Sequence, residues 1–262
     1  DVPKSKKRQG ALLAVAPAQQ TKPLEGVSIL DGTRRHLLDL DDFSMHELEL
    51  VLQTTDVMRG VLSQDVKKLS TLQGKVVITL FQEASTRTRV SFEEAGKILS
   101  ADVINISDSG SSIEKGESLL NTALTLQATG TDLLVVRHAH SGAPYFIAKH
   151  LSKTGVVNAG DGSHAHPTQA LLDLYTMKRH LGDLKGRKVV IVGDVLHSRV
   201  ARSNIWGLSL AGARVVLCGP PNLLPIEFLH GSHRRDGNPL ASVEVELEIE
   251  RAVAEADVVM PL

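Results

Sequence analysis

The sequence contains a single cysteine, Cys218, so no internal disulfide framework is possible, a usage that fits a reducing compartment. Cys218 closes the apolar run 215–218, which marks it as a buried structural thiol rather than a nucleophile. A charge excess is missing too: 29 Lys and Arg stand against 30 Asp and Glu. That balance removes the electrostatic case for nucleic acid or an anionic membrane as partner, and any anion chemistry must be local. No apolar stretch approaches the roughly 20 residues needed to cross a bilayer, so the chain is read as not integral to a membrane. There is no solenoid repeat. The turn at 193–198 (GDVLHS) has only the first glycine of Gly-x-Gly-x-x-Gly, which argues against nicotinamide binding. An initiator Met is also missing, so a processed or cut N-terminus is expected. Residues 1–33 read as a disordered basic tail: Lys4, Lys6, Lys7 and Arg8 precede an apolar run, 11–16, shorter than the roughly 7 to 15 residues of a secretory segment.

With 262 residues, 42% of them hydrophobic and 23% charged, the chain can bury a substantial core. Ser44 and Glu47 form a capping-box pattern ahead of Leu48, Val51, Leu52, Thr55 and Met58, which predicts a first helix. Strands are expected at 75–81 (KVVITLF), 101–106, 132–137 and 155–158, alternating with helices at 89–99, 117–128 and 144–151. A helix at 167–180 carries Ala170, Leu171, Leu174 and Met177 on one face, with Pro167 suited to its first turn. Beyond it come strand 188–192, helix 198–211, strand 214–218, an irregular stretch at 220–239, helix 246–256 and strand 257–260. The expected class is α/β, in two domains, each a parallel sheet flanked by helices. Residues 34–165 form the first, 166–180 the interdomain helix and 181–262 the second, which is expected to be incomplete.

Chemistry concentrates at strand ends. Ser85-Thr86-Arg87-Thr88-Arg89 follows a buried strand and opens a helix, so backbone N–H donors, hydroxyls and a guanidinium fork converge, a combination that favours phosphate. Ser111-Ser112-Ile113-Glu114-Lys115-Gly116-Glu117 is a polar loop, weak evidence by itself. Arg137 ends a strand on the edge where ligands of open α/β sheets gather. His166 and Gln169 project from the start of the interdomain helix. His138, His140, His164 and His166 make two His-x-His pairs, yet no arranged third ligand accompanies them, so no metal site is assigned. Arg199 and Arg202 open the helix after the 193–198 turn, and one of them is suited to clamp a carboxylate.

Taken in order, these segments resemble the aspartate/ornithine transcarbamoylase family from residue 35 to the end. The resemblance rests on Ser-Thr-Arg-Thr-Arg at 85–89, Lys-Gly-Glu at 115–117, Val-Arg-His at 136–138, Asn-Ala-Gly-Asp-Gly at 158–162, His-Pro-Thr-Gln at 166–169 and Gly-Asp-x-x-x-Ser-Arg-Val at 193–200. Ornithine-using members are not expected to carry the Ser-x-x-x-Lys-Gly-Glu loop or the Ser-Arg-Val turn, so the resemblance implies carbamoyl transfer from carbamoyl phosphate to L-aspartate, the committed step toward pyrimidines. Another amine acceptor and a non-catalytic homologue remain alternatives. It further implies that Ser85, Thr86, Arg87 and Thr88 hold the phosphate, that Thr88, Arg137 and His166 donate to the carbamoyl oxygen, and that Gln169 orients the carbamoyl nitrogen. Lys115 and Arg199 would bind aspartate, with Ser111 and Lys115 supplied by the neighbouring subunit of a homotrimer with shared active sites. No cofactor or metal is implied, the location is cytoplasmic, and regulatory or dihydroorotase subunits are possible partners. Two departures stand out. Ala139 replaces the family's proline after Arg137-His138, and nothing matching the family's Arg-x-Gln segment and final helix follows Leu262, so a fragment of weak or no activity is expected.

Overall fold

The computed structural model describes residues 34–107, 118–235 and 237–262, so the tail expected at 1–33 lies outside the described residues. Helix α1 spans Met45–Leu62, and its capping box is present on both arms: Ser44 Oγ accepts the Glu47 N–H at 3.2 Å, and Glu47 accepts the Ser44 N–H at 2.8 Å. Strands β1 (Val76–Phe81), β2 (Asp102–Ser107), β3 (Leu133–His138) and β4 (Gly155–Asp161) form a wholly parallel sheet in the order β2-β1-β3-β4. Helices α2 (Thr86–Ile98), α3 (Leu119–Ala128) and α4 (Ala143–His150) connect them. Alternate residues of one strand serve opposite faces. Ile78, Leu80, Leu134 and Val136 pack with Ile147 of α4, while Val77, Phe81 and Val135 pack on the other side with Phe92 of α2.

Helix α5 (Pro167–Leu181) leads into the second sheet, with Pro167 in its first turn and Gly182 at its end. Strands β5 (Lys188–Val192), β6 (Arg214–Cys218), β7 (Glu244–Val245) and β8 (Val258–Pro261) pair in the parallel order β7-β6-β5-β8. Helices α6 (Arg199–Leu210), α7 (Ile226–Leu229) and α8 (Ile249–Val253) complete the described chain. Val189, Ile191, Val215 and Leu217 face one apolar cluster, whereas Val190, Val216 and the buried Cys218 face Ala252 of α8.

The larger cluster also contains Leu40, Phe43, Leu48 and Leu52 from the N-terminal end, along with Ala170, Leu171, Leu174 and Met177 of α5. One core therefore runs from α1 through α5 into the second sheet. Leu174 of this cluster is fully buried, and truncating such a leucine to alanine costs about 2–5 kcal/mol. Three expectations need correction. Helix 246–256 shrinks to the five residues of α8: at one end the Glu246 N–H is tied to the Leu217 carbonyl at 3.0 Å, continuing the pairing of β7, and at the other Glu255 takes a left-handed φ of +55°. The strand expected to stop at 158 continues to Asp161 through Gly160, whose φ of +115° suits only glycine. The stretch 220–239 is not wholly irregular, since it holds a 3-10 turn at Pro221–Leu223 and α7.

Candidate active site

In the first sheet the chain leaves β1 toward β2 and leaves β3 toward β4, so the connections after these two neighbours diverge and open a crevice between their ends. Ligands of open α/β sheets collect at such a point. Phe81 and Arg137 are register partners at these ends, and the Gln82 N–H donates to the Arg137 carbonyl at 2.9 Å.

Four residues beyond Phe81, Ser85 caps α2 with extended backbone, but its hydroxyl makes no capping bond and no acidic residue lies in the first turn. The N–H groups of that turn and the positive end of the helix are thus left to an outside anion. Thr86 and Arg87 are exposed; Ser85 and Thr88 are half-buried.

Glu83, between the strand end and the helix, ties the crevice together. Its carboxylate accepts two hydrogen bonds from Arg199, Nη1 at 2.8 Å and Nη2 at 2.5 Å, and one from Arg137 Nη2 at 2.5 Å. The Arg199 bonds, aided by Arg137, hold Glu83 below the usual carboxylate range against the opposing effect of burial. Arg137 Nη1 donates to the Ala159 carbonyl at 3.1 Å, while its buried Nε has no hydrogen-bond partner among the described protein atoms. Arg199 Nη1 also reaches the Gly162 carbonyl at 3.1 Å. Gly160 makes this crowding possible: a Cβ there would lie 3.0 Å from Arg137 Nη1 and 3.3 Å from Arg199 Cζ.

His166 caps α5 with its ring buried near both guanidinium groups. Burial, reinforced by Arg137 and Arg199, pushes its pKa down to about 4, so the imidazole is neutral near pH 7 and offers one N–H. Its Nδ1 lies 3.5 Å from the Thr168 hydroxyl, a long contact. Gln169 spends its amide N–H on Asp173 at 2.9 Å, and Asn204 holds the other oxygen of that carboxylate at 2.8 Å. The second amide N–H and the side-chain oxygen of Gln169 are not used in this bond.

The turn that delivers His166 is built on the buried Asp161, which accepts from Asn158 Nδ2, the Gly142 N–H and the Ala165 N–H at 2.8, 2.6 and 3.0 Å. His164 pairs with Asp161 at 3.1 Å and meets Tyr145 edge-on, while His138 Nδ1 accepts the His140 N–H at 2.8 Å. The histidines of the two pairs thus have separate structural contacts, and no group of three candidate metal ligands occurs among the described residues. Of the two arginines opening α6, Arg199 reaches this centre, whereas Arg202 lines a cavity of about 460 Å³ with Trp206, Phe228 and His233.

Arg137, His166 and Arg199 therefore come together, with Ser85 to Thr88 at the end of the adjacent strand. Ser111 and Lys115 lie outside the described residues. Sequence reasoning missed Glu83 and Asp161. Glu83 stands two residues before Ser85, separated by Ala84 from the Ser-Thr-Arg motif and not part of it, and Asp161 enters only as a letter of Asn-Ala-Gly-Asp-Gly.

Residues 35–179 match the family model of the aspartate/ornithine carbamoyltransferase carbamoyl-P binding domain. The aspartate carbamoyltransferase catalytic subunit of Chloroflexus aggregans is 53% identical over 230 residues, covering 87% of this chain and 72% of its own. The aspartate transcarbamoylase of Trypanosoma cruzi, solved in complex with carbamoyl phosphate and aspartate, superposes with a TM-score of 0.76 at 27% identity over 87% of this chain and 76% of its own. The ornithine carbamoyltransferase of Pyrococcus furiosus gives 0.75 at 28% identity, over 87% and 71%. Backbone likeness thus leaves the two branches level, and it is the 53% identity that selects the aspartate branch.

Proposed function

This chain belongs to the aspartate/ornithine carbamoyltransferase family, and from that membership we propose how its residues divide the work. The enzyme transfers the carbamoyl group of carbamoyl phosphate to L-aspartate, giving N-carbamoyl-L-aspartate and phosphate. On our reading the uncapped start of α2 receives the phosphoryl group through Ser85, Thr86, Arg87 and Thr88. Thr88, Arg137 and His166 donate to the carbamoyl oxygen, onto which attack by the amine drives negative charge. A preorganised donor of this kind is worth about 100- to 1000-fold in rate. His166 acts as a neutral hydrogen-bond donor and not as an acid or a nucleophile, a role supported by its depressed pKa of about 4. Gln169, its amide nitrogen anchored on Asp173, steers the carbamoyl nitrogen through its amide oxygen. The aspartate nitrogen forms a bond to the carbonyl carbon, the bond from that carbon to the phosphate oxygen breaks, and the departing phosphate takes the amine proton. Much of the remaining acceleration comes from holding both substrates in one orientation.

Arg199 binds an aspartate carboxylate, joined by Ser111 and Lys115 of a neighbouring subunit, so the working unit is a homotrimer with shared sites, in the cytoplasm, serving de novo pyrimidine synthesis. The same reading divides the chain into a carbamoyl phosphate-binding domain at 34–165, a joining helix at 166–180 and an aspartate-binding domain from 181. The observation that carries the proposal is the meeting of Arg137, Arg199 and neutral His166 beside a helix start stripped of its own caps.

The full-length enzyme, given carbamoyl phosphate with aspartate or ornithine, is expected to make carbamoyl-aspartate at least tenfold faster; faster turnover of ornithine would overturn the acceptor. For the shared site, Lys115→Ala and His166→Ala subunits, each inactive, are expected to regain activity when mixed. No recovery after verified subunit exchange sinks that part.

A further inference from the structure

Asp39 precedes α1 and is almost wholly buried, at 4% exposure. A buried carboxylate ordinarily has a cationic partner. Asp39 has no directly bonded cation among the described residues: Ser203 Oγ donates to its Oδ1 at 2.6 Å and Leu40 supplies a backbone N–H, which with the weaker pull of His164 oppose the rise in pKa that burial causes. Ser203, itself fully buried on α6, then accepts the backbone N–H of His166 at 2.9 Å. With its proton committed to Asp39, the serine oxygen turns its lone pairs toward His166.

The three residues come from three places. Asp39 lies on a segment stitched to β4, where the Leu37 N–H donates to Val156 and the Asn158 N–H to Leu37, both at 2.8 Å. Ser203 is one turn along α6 from Arg199, and His166 is the residue from which α5 starts. The relay thus fixes the distance between His166 and Arg199, which come from different halves of the chain and face different substrates.

We propose that Asp39 is a positioning residue for carbamoyl transfer, acting through the Ser203 hydroxyl to set where His166 stands relative to Arg199. This rests on the roles given above to His166 and Arg199. A fold in need of filling alone would meet the site with an apolar side chain; a buried carboxylate held by hydrogen bonds and without a bonded cation among the described residues is the costlier choice, and its strong acceptor is what orients the serine. Because the displaced group would be a transition-state donor, the loss should fall on kcat more than on carbamoyl phosphate binding. A shift of about 1 Å at such a group costs on the order of 100-fold.

The test uses the full-length enzyme carrying Asp39→Ala, Asp39→Asn, Ser203→Ala, the Asp39→Ala/Ser203→Ala double and His166→Ala. Rates at saturation, both KM values and melting temperature are measured. Asp39→Ala and Ser203→Ala should each lower kcat about 10- to 100-fold, with the carbamoyl phosphate KM within about threefold. The double should be no slower than the worse single, because both act through one bond. Asp39→Asn, whose amide oxygen still accepts, should recover most of the rate. Full activity of Asp39→Ala, multiplying losses in the double, or an Asn variant as impaired as the Ala variant would each overturn the proposal. Should Asp39→Ala not fold, Ser203→Ala and Asp39→Asn decide by the same criteria. A His166→Ala enzyme with undiminished rate would sink the reading of the site itself, whereas loss there without loss at Ser203 sinks only the relay.

Discussion

Protonation of His166 is the sharpest quantity the site offers. Free histidine titrates near pH 6.5, so at pH 6 about three quarters of it is charged. With its pKa pushed down to about 4, His166 should be charged in about one molecule in a hundred at that pH. Three causes act in order: burial of the ring, then the Arg137 and Arg199 guanidinium groups, which Glu83 and Asp161 only partly offset. Stability follows from the same numbers. Between pH 4 and 6.5 the unfolded chain binds a proton that the folded chain refuses. The stabilisation is therefore complete above pH 6.5 and drains away as pH falls toward 4, reaching about 3 kcal/mol.

The direct assay is an NMR titration of the imidazole in the free enzyme, with the His166 signal identified by its loss in His166→Gln. A midpoint between pH 6 and 7 would refute the reasoning, since it would mean an acid or base poised for proton transfer. On the proposed roles, His166→Ala should lose about 100- to 1000-fold in kcat at pH 7. That loss should stay nearly constant between pH 5.5 and 8, because the group removed does not titrate there.

Two further substitutions probe the centre. In Glu83→Gln, Arg137 and Arg199, whose side chains are only 9% and 17% exposed, lose the anion between them, so the free enzyme should lose about 1–3 kcal/mol in thermal unfolding and saturating carbamoyl phosphate should restore part of it. An unchanged melting temperature would show that the bridge is idle. Gly160→Ala forces a side chain onto φ +115° and into two guanidinium groups, so denaturant titration should show a loss of about 1–3 kcal/mol and calorimetry weaker carbamoyl phosphate binding, and wild-type values in both would contradict the geometry.

What the sequence revealed best was local. Ser44 and Glu47 announce α1 because a capping box closes within four residues, and KVVITLF announces β1 because burial on both faces demands an unbroken apolar run. Residues with their own signature, Ser85 to Thr88, Arg137, His166 and Arg199, could be singled out before any fold was known. Glu83 could not, because its partners lie 54 and 116 residues away and a lone glutamate has no periodicity. Asp39 is hidden for the same reason, its serine standing 164 residues on. The failure at 246–256 is of another kind. Helix propensity at its start was outweighed by the tie of the Glu246 N–H to the Leu217 carbonyl of β6, which only the assembled sheet can supply.

The two arginines around Glu83 are not equivalent, and the difference predicts an order of binding. Arg199 presents both terminal nitrogens to the glutamate, so any carboxylate that takes this fork must first displace Glu83. Arg137 has a buried Nε with no hydrogen-bond partner among the described protein atoms, a donor open to an incoming acceptor. A phosphorylated substrate approaching Arg137 therefore gains a hydrogen bond while breaking none. Its negative charge also repels the Glu83 carboxylate and loosens the grip on Arg199. Carbamoyl phosphate should bind the free enzyme, and aspartate should bind well only afterwards. Calorimetry with a non-reactive phosphonate analogue can measure this: aspartate affinity should rise at least tenfold once the analogue is bound. Equal affinity with and without it would mean that Glu83 yields Arg199 at no cost, and the bidentate geometry would then have no bearing on the order.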